Sequence, residues 1–554
     1  MWGCGMRGRS LIAALVAAGP AFLCGALTPL PASAEDGPAA IKSAGPNPAA
    51  PEAADQQPAS PTQAAPDAAA ARAPAPAEAA APPPEAAPVV ASIRTKLADA
   101  SFRKDASADD IAVLQAFYNE RSDPLWMTDM GFSREALAAI DEVMKADDWG
   151  LSSADFVLPP AGDLPASVVA AAASEIKLDL AILKYARYAR GGRVDPTKLS
   201  KLIGQSPSLR NPKTVLSEIA SAEAPDAYLR SLHPKHEQFQ RLHQALLAAR
   251  AETAAGGKPQ NIQRLLINME RWRWMPEDLG ALHLWLNIPE FMVHVVKDGK
   301  EIYAEKIVVG QMSYATPIFT AELQSVVFNP EWTVPPTIIR ENLLPNLRSG
   351  GFFGSNTAIL DQHELKVNYN GKRVDPSSID WNHVNLGAIS FVQAPGPNNV
   401  LGKVKFVYPN PYSVYMHDTI RPGLFDPAVR AEGHNCPRVA NPGKIAAVIL
   451  AADKGMPQAE VDKLLADGYN SAVNVEHHIP VHTTYFTAVV DDQGKVQTFG
   501  DVYKLDAMVG AAILGKGAQS EAVADNAQAK AKPGAGTTAP GAAGASGGIA
   551  DSTP

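Results

Sequence analysis

The apolar residues of this chain follow two spacings, and the change from one to the other divides it. Up to about residue 275 they recur every three or four positions. Ile111, Leu114, Phe117 and Tyr118 follow the cap candidates Ser107 and Asp109, and Ile176, Leu180, Leu183 and Ala186 share one face of "EIKLDLAILKYARYARGG". From Leu282 onward they alternate: Leu282, Leu284, Leu286 and Ile288, then Phe291, Val293 and Val295, before the turn signal Asp298-Gly299. A period of 3.6 lines a helix face and a period of two lines a sheet face, so each segment is committed. The expectation is an α+β chain: an all-helical domain over 92–258, then a β-rich domain over 259–515 that opens with one amphipathic helix, "NIQRLLINMERWRWMPEDLG". Residues 337–393 interrupt the alternation for longer than an ordinary connection does, and they are expected to form a lid or capping insertion.

Both ends lack the residues to build a core. Residues 1–34 carry Arg7 and Arg9, an apolar run from Leu11 to Leu27 and the small-residue site Ala32-Ser33-Ala34, the pattern of a cleaved export signal. An uncleaved anchor is the alternative, but no other run is long and apolar enough to span a bilayer, so no stable span is expected after cleavage. Residues 35–91 are mostly Ala and Pro, and 516–554 are rich in Ala and Gly; both are expected to be disordered spacers. The net charge of −9 argues against a nucleic-acid partner.

The chain has three cysteines. Cys4 and Cys24 leave with the signal, so Cys436 has no internal disulfide partner in an oxidising compartment. The count alone leaves two readings open, a reactive thiol or an inert buried one. The neighbours bear on the choice. A thiolate needs a proton acceptor, and an imidazole that titrates near neutrality suits that task. In "VYMHDTIRPGLFDPAVRAEGHNCPRV" the strand-like "SVYMHDT" would send Val414 and Met416 one way and Tyr415 and His417 the other. Cys436 follows on a turn towards the helical run "KIAAVILAADKG", whose N–H groups could favour an anion. The residues alone still leave both readings standing.

The same stretch, "VYMHDT … GHNCPRV", resembles the catalytic signature of the L,D-transpeptidase family (the YkuD type). "ERWRWMPEDLG", "FNPEWTVPP", "QAPGPNNVLGKVKF" and "PVHTTYFTAVVDDQGKVQ" look like its large periplasmic branch, and "FYNERSDPLWM" and "YARYARGGRVDP" like that branch's helical scaffold domain. The resemblance spans about residues 93–510. It implies a β-rich catalytic domain with a capping insertion and no cofactor, exported to the periplasm, acting on peptidoglycan stem peptides and acylated by carbapenem-type inhibitors. It further implies that Cys436 is the nucleophile and His417 the general acid/base. Tyr415 would line the pocket, and Arg438 would hold a substrate carboxylate through its two-pronged guanidinium. His434 would support the thiol or, better, orient the turn. The family usually has Gly where this chain has Asn435; Asn tolerates the positive φ that glycine there suits. Pro437 has no N–H, so oxyanion donors must come from Cys436, Asn435 or Tyr415. The small wall-binding module of related large members is replaced by "AETAAGGKPQ".

Rival readings stay in view. His417, His434 and Cys436 with His477, His478 or His482 could ligate zinc, although no H-E-x-x-H or C-x-x-C is present. A noncatalytic wall-binding scaffold would follow if Asn435 and Pro437 had dismantled the oxyanion site. A carboxypeptidase or a protein-to-wall ligase would share the acyl-enzyme. His233, His236 and His243 are expected as helix-surface or bundle contacts, and His477 and His478 as surface residues.

Overall fold

The computed structural model describes residues 86–99, 106–160, 165–258, 261–349 and 356–515. The expected export signal, the tail and all but the last residues of the Ala/Pro-rich linker lie outside them. Among the described residues, no helix is long and apolar enough to cross a membrane.

The helical part begins earlier than the composition suggests. Its first helix runs Pro88–Ala98, with Val90, Ile93 and Leu97 fully buried. Pro at the helix start has no N–H to lose, so the end of the Pro-rich linker doubles as a helix start. Helices Ala108–Asn119, Arg134–Met144 and Val168–Gly191 follow, each capped by a serine (Ser107, Ser133, Ser167) whose hydroxyl accepts an N–H of the first turn. The region is not all-helical: Met127–Thr128 and Gly131–Phe132 form a small ribbon. Gly131 turns it at φ 103°, a conformation side chains avoid.

Two carboxyls sit inside this domain. The Tyr118 hydroxyl lies 2.7 Å from Asp179 and 3.0 Å from Glu175. The Trp126 indole N–H donates to Asp179 at 2.7 Å. A phenol has one hydrogen, so two ionised carboxylates cannot both receive it; the group is satisfied when one acid keeps its proton. Burial, helped by the neighbouring Glu175, pushes Asp179 up to about 8.

The two domains are joined through helix Ile262–Arg273. Its Glu270 accepts the main-chain N–H groups of Arg193 and Val194, just past Gly192. Gly192 has φ 86°, and a Cβ there would stand 2.5 Å from the Glu270 carboxylate. Trp149 is sandwiched between His233 and His243, with ring centroids 4.3 and 4.0 Å away, so these histidines are bundle contacts, as expected. His236 bonds the Pro276 carbonyl at 2.8 Å.

Among the described residues, nine strands build the main sheet: β1 (Leu282–Asn287), β2 (Met292–Lys297), β3 (Lys300–Gly310), β4 (Phe319–Phe328), β5 (Val404–Val407), β6 (Met416–His417), β7 (Ala431–Gly433), β8 (Arg438–Val439) and β9 (Ser471–Thr484). Their order is β7-β3-β8-β6-β5-β4-β9-β1-β2, and β2 also pairs with β3, which closes eight of them into a ring with β7 attached to β3. Closure removes the free edges. The β2–β3 turn is the expected one, with Asp298 at φ 51° and Gly299 at φ 74°. Phe291 is not a strand residue; it sits in the left-handed region between β1 and β2. The alternating residues fill the core: Leu284, Leu286, Val293 and Val295 join Val326, Phe328, Phe406 and Met416. Helix Pro442–Lys454 covers it through Ile445, Ile449 and Leu450.

The capping insertion is a unit with its own core of Leu347, Leu365, Val367, Trp381 and Phe391. It starts before residue 337. Trp332 and Thr333 pair with Gln393 and Val392, so its four-stranded sheet begins at Trp332.

Candidate active site

Local chemistry fixes the segment that carries His417. Asn410 accepts the N–H groups of Tyr412 and Val414, and its amide donates to the carbonyls of Tyr408 and Val414. From that braced turn the chain alternates as expected. Val414 and Met416 enter the core, while Tyr415 and His417 take the other face, with ring centroids 5.6 Å apart.

Pairing then brings the thiol's turn alongside. β6 runs parallel to β8 with His417 opposite Arg438, and the His417 main-chain N–H donates to the Pro437 carbonyl at 3.0 Å. Cys436 is thus one residue from the peptide that grips His417. On the other side β5 runs antiparallel with Lys405 opposite His417. Residues opposed across adjacent strands share a sheet face, so Lys405, His417 and Arg438 form a row with the imidazole in the middle.

That row sets the charge states. The His417 Nδ1 bonds the Asp418 carbonyl, so Nδ1 carries the hydrogen and Nε2 is the free base. Burial, then Arg438, pushes His417 down to about 3, against the carbonyl's upward pull and with Lys405 adding to the fall. The sequence-based expectation of an imidazole titrating near neutrality is therefore corrected: it is neutral at rest. Cys436 is partly exposed as a residue, yet burial around its sulfur raises the thiol. The Tyr415 N–H bonds the sulfur, and Lys405 and Arg438 act with it to pull the thiol back down. At rest the pair is thiol and imidazole, both uncharged, so proton transfer belongs to the reaction.

Tyr415 is held from two sides. The Lys405 ammonium stands 4.2 Å from its ring centroid, and the indole of Trp332, the first residue of the cap sheet, bonds its hydroxyl. Arg438 has a buried Nη1 with no hydrogen-bond partner, and Tyr408 has a buried hydroxyl in the same condition. His434 stacks on Tyr314 at 4.1 Å, and Tyr314 donates to Glu341 of the cap at 2.7 Å.

Two further expectations are corrected. Asn435 is not among the residues with positive φ, so it does not stand in for a strained glycine. Its carbonyl accepts the Thr316 hydroxyl at 2.8 Å, which pins the turn in ordinary geometry. The helix Pro442–Lys454 is not the donor at the sulfur either, because β8 intervenes and the amide there is that of Tyr415.

The histidines of the zinc rival are occupied elsewhere. His482 bonds Thr320 and the Leu279 carbonyl, His477 pairs with Asp453, and His478 with Glu322, the latter two on the exposed half of β9. Sequence reasoning missed Lys405, Tyr408 and Trp332. In "KVKFVYPN" Lys405 alternates with Val404 and Phe406, but the sequence does not say which strand it meets.

Comparison with known proteins agrees with this geometry. Residues 282–458 match the model of the L,D-transpeptidase catalytic domain (YkuD), and residues 112–246 match that of a scaffold domain. A protein of Haemophilus influenzae provisionally named as an L,D-transpeptidase is 30% identical over 260 residues, which are 46% of this chain and 51% of that protein. The chain thus spans about half the length of this curated relative.

Proposed function

We propose, for a chain that belongs to the L,D-transpeptidase family through its YkuD catalytic domain and its scaffold domain, that it forms 3→3 cross-links between peptidoglycan stems through a Cys436 acyl-enzyme. The observation that carries this reading is the pairing of β6 with β8, which sets a neutral imidazole with a free Nε2 beside the turn that bears the Cys436 thiol.

The steps follow from those groups. The Cys436 sulfur attacks the carbonyl of the third stem residue while His417 Nε2 takes the thiol proton. Tyr415 N–H serves the sulfur, leaving the Cys436 N–H for the carbonyl oxygen as it becomes an oxyanion. Collapse breaks the peptide bond, and the departing D-alanine amine takes the proton from His417. The thioester is then attacked by the side-chain amine of a second stem; His417 accepts that amine's proton and returns it to the sulfur. Arg438, with its unpartnered Nη1, holds a donor carboxylate. Carbapenem-type compounds would acylate the same sulfur. Export to the periplasm is part of this reading, since the stems lie there.

The test is incubation of purified protein with disaccharide-tetrapeptides and mass analysis of the products. A cross-linked dimer lacking one D-alanine is expected, and Cys436→Ala should give none while keeping the fold. Cross-linking retained by that variant overturns the assignment. Hydrolysed tripeptide without dimer would show water as the acceptor, the carboxypeptidase outcome.

A further inference from the structure

The thiolate formed in that reaction needs a counter-charge, and the imidazole at rest supplies none. The row across β5, β6 and β8 offers another source. Lys405 and Arg438 flank His417 on one sheet face, about 10 Å apart at the backbone by ordinary strand spacing. Side chains of that length can converge on the turn that carries Cys436. The Lys405 ammonium is held over the ring of Tyr415, the residue whose N–H bonds the sulfur. Arg438 keeps a buried Nη1 without a partner.

We propose that Lys405, with Arg438, is the positioning residue that supplies the positive charge for the Cys436 sulfur anion, so that two side-chain cations, and not the imidazolium, are its counter-charge. The proposal rests on Cys436 being the nucleophile. In the step, the S–H bond breaks, the electron pair stays on sulfur, and the proton goes to His417 Nε2. The resulting imidazolium lies between two cations and is a strong acid, which hands the proton on to the leaving amine.

Among the described residues, these groups act on the sulfur. Lys405 comes from β5, Tyr408 from just past it, Tyr415 from the β6 segment and Arg438 from β8, with Arg421 acting on Arg438 in turn; His417 lies between Lys405 and Arg438 by strand register. The carboxyl next in sequence to His417, Asp418, is engaged by the main-chain N–H groups of Lys403 and Thr419, at 2.7 and 2.6 Å. Lys405 feels the sulfur as the sulfur feels it: burial draws the ammonium down and Cys436 draws it back up.

The experiment is the pH dependence of Cys436 alkylation by iodoacetamide, a small neutral probe, in the full chain. Lys405→Met, which keeps the apolar stem, should raise the alkylation midpoint by about one pH unit, or about tenfold less thiolate at a given pH. Lys405→Arg should restore it, and His417→Gln should leave the midpoint where it is. An unmoved midpoint in Lys405→Met overturns the proposal, as does a shift in His417→Gln as large as that in Lys405→Met. Lys405→Gln, checked for an unchanged melting transition, replaces the Met variant should that one misfold. Alkylation needs no wall substrate. A shifted midpoint without cross-linking activity would therefore sink only the proposed function, and activity without a shifted midpoint only this proposal.

Discussion

His417 and Arg438 face each other in register across two parallel strands that are each two residues long. The backbone register therefore fixes which cation-bearing residue stands beside the imidazole. Arg438 lies only two residues beyond Cys436, so the turn that delivers the sulfur also delivers a charge that, after burial, helps keep its base neutral.

His417→Ala should slow acylation by about 10²–10⁴-fold, the usual worth of a general base. In the wild type, the base form of His417 is present at every pH above its depressed value of about 3. The acylation rate should accordingly rise with pH through the alkaline range as the buried thiol ionises, with no separate limb near pH 6.5. Stopped-flow acylation by a carbapenem across pH 5–10 reads both expectations; a limb near 6.5 that vanishes in the alanine variant would refute them.

Arg438→Gln should cut kcat/KM for a donor with a free carboxylate by roughly 10- to 100-fold, the scale of one hydrogen bond to a charged group. Arg438→Lys should recover little of it, since an ammonium lacks the two-pronged geometry. Steady-state rates with matched acid and carboxamide donors would check this, the variant losing its discrimination between them.

Asp179→Asn should stabilise the protein on the alkaline side. Asp179 is raised to about 8 in the fold, so the folded state holds a proton that the unfolded chain gives up near pH 4. Its contribution is present below pH 4 and lost as pH rises through 8. Asparagine keeps the acceptor for Trp126 and supplies a donor to Tyr118, which still donates to Glu175. The variant should gain about 1–2 kcal/mol at pH 9, seen in urea titrations; a loss at that pH would contradict the shared-proton arrangement.

His294→Gln tests an ion-pair cluster on β2. His294 lies between Glu290, at 3.2 Å, and Glu301, beside a cavity of about 260 Å³ lined by Trp285, Arg241 and Gln497. Burial lowers the imidazole, but the two carboxylates outweigh it and hold it at about 9. This stability is complete below pH 6.5 and lost as pH rises through 9; the Glu301 share, from a lowered carboxyl, fades in acid. The variant should lose about 1 kcal/mol at pH 6, kept small because Glu301 is half exposed, and less at pH 9.5. Melting temperatures at the two pH values decide it.

Much of this architecture could be read from residue order because it is local. The period change at Leu282, the Asp298-Gly299 turn and the in–out alternation of Val414 to His417 each need only a few neighbours. The site's electrostatics could not be read, because they depend on register between distant strands. Nothing near Lys405 announces that it will oppose His417, and a two-residue strand such as β8 has no period to detect. The same reason hid the start of the cap: Trp332 joins its sheet through Gln393, about sixty residues on. Asn435 was misjudged because the tether from Thr316, which lets the turn keep an ordinary backbone, is also remote in the chain.

The closed ring carries a consequence for how the molecule comes into being. β1 pairs with β2 beside it in the chain, but the ring closes only when β1 also meets β9, and β6 and β8 are too short to hold together without the longer strands β3 and β5 beside them. A chain made only as far as the sulfur would own both reacting groups yet lack the final stave of the barrel. Reactivity should switch on once, late, when residues near Thr484 arrive.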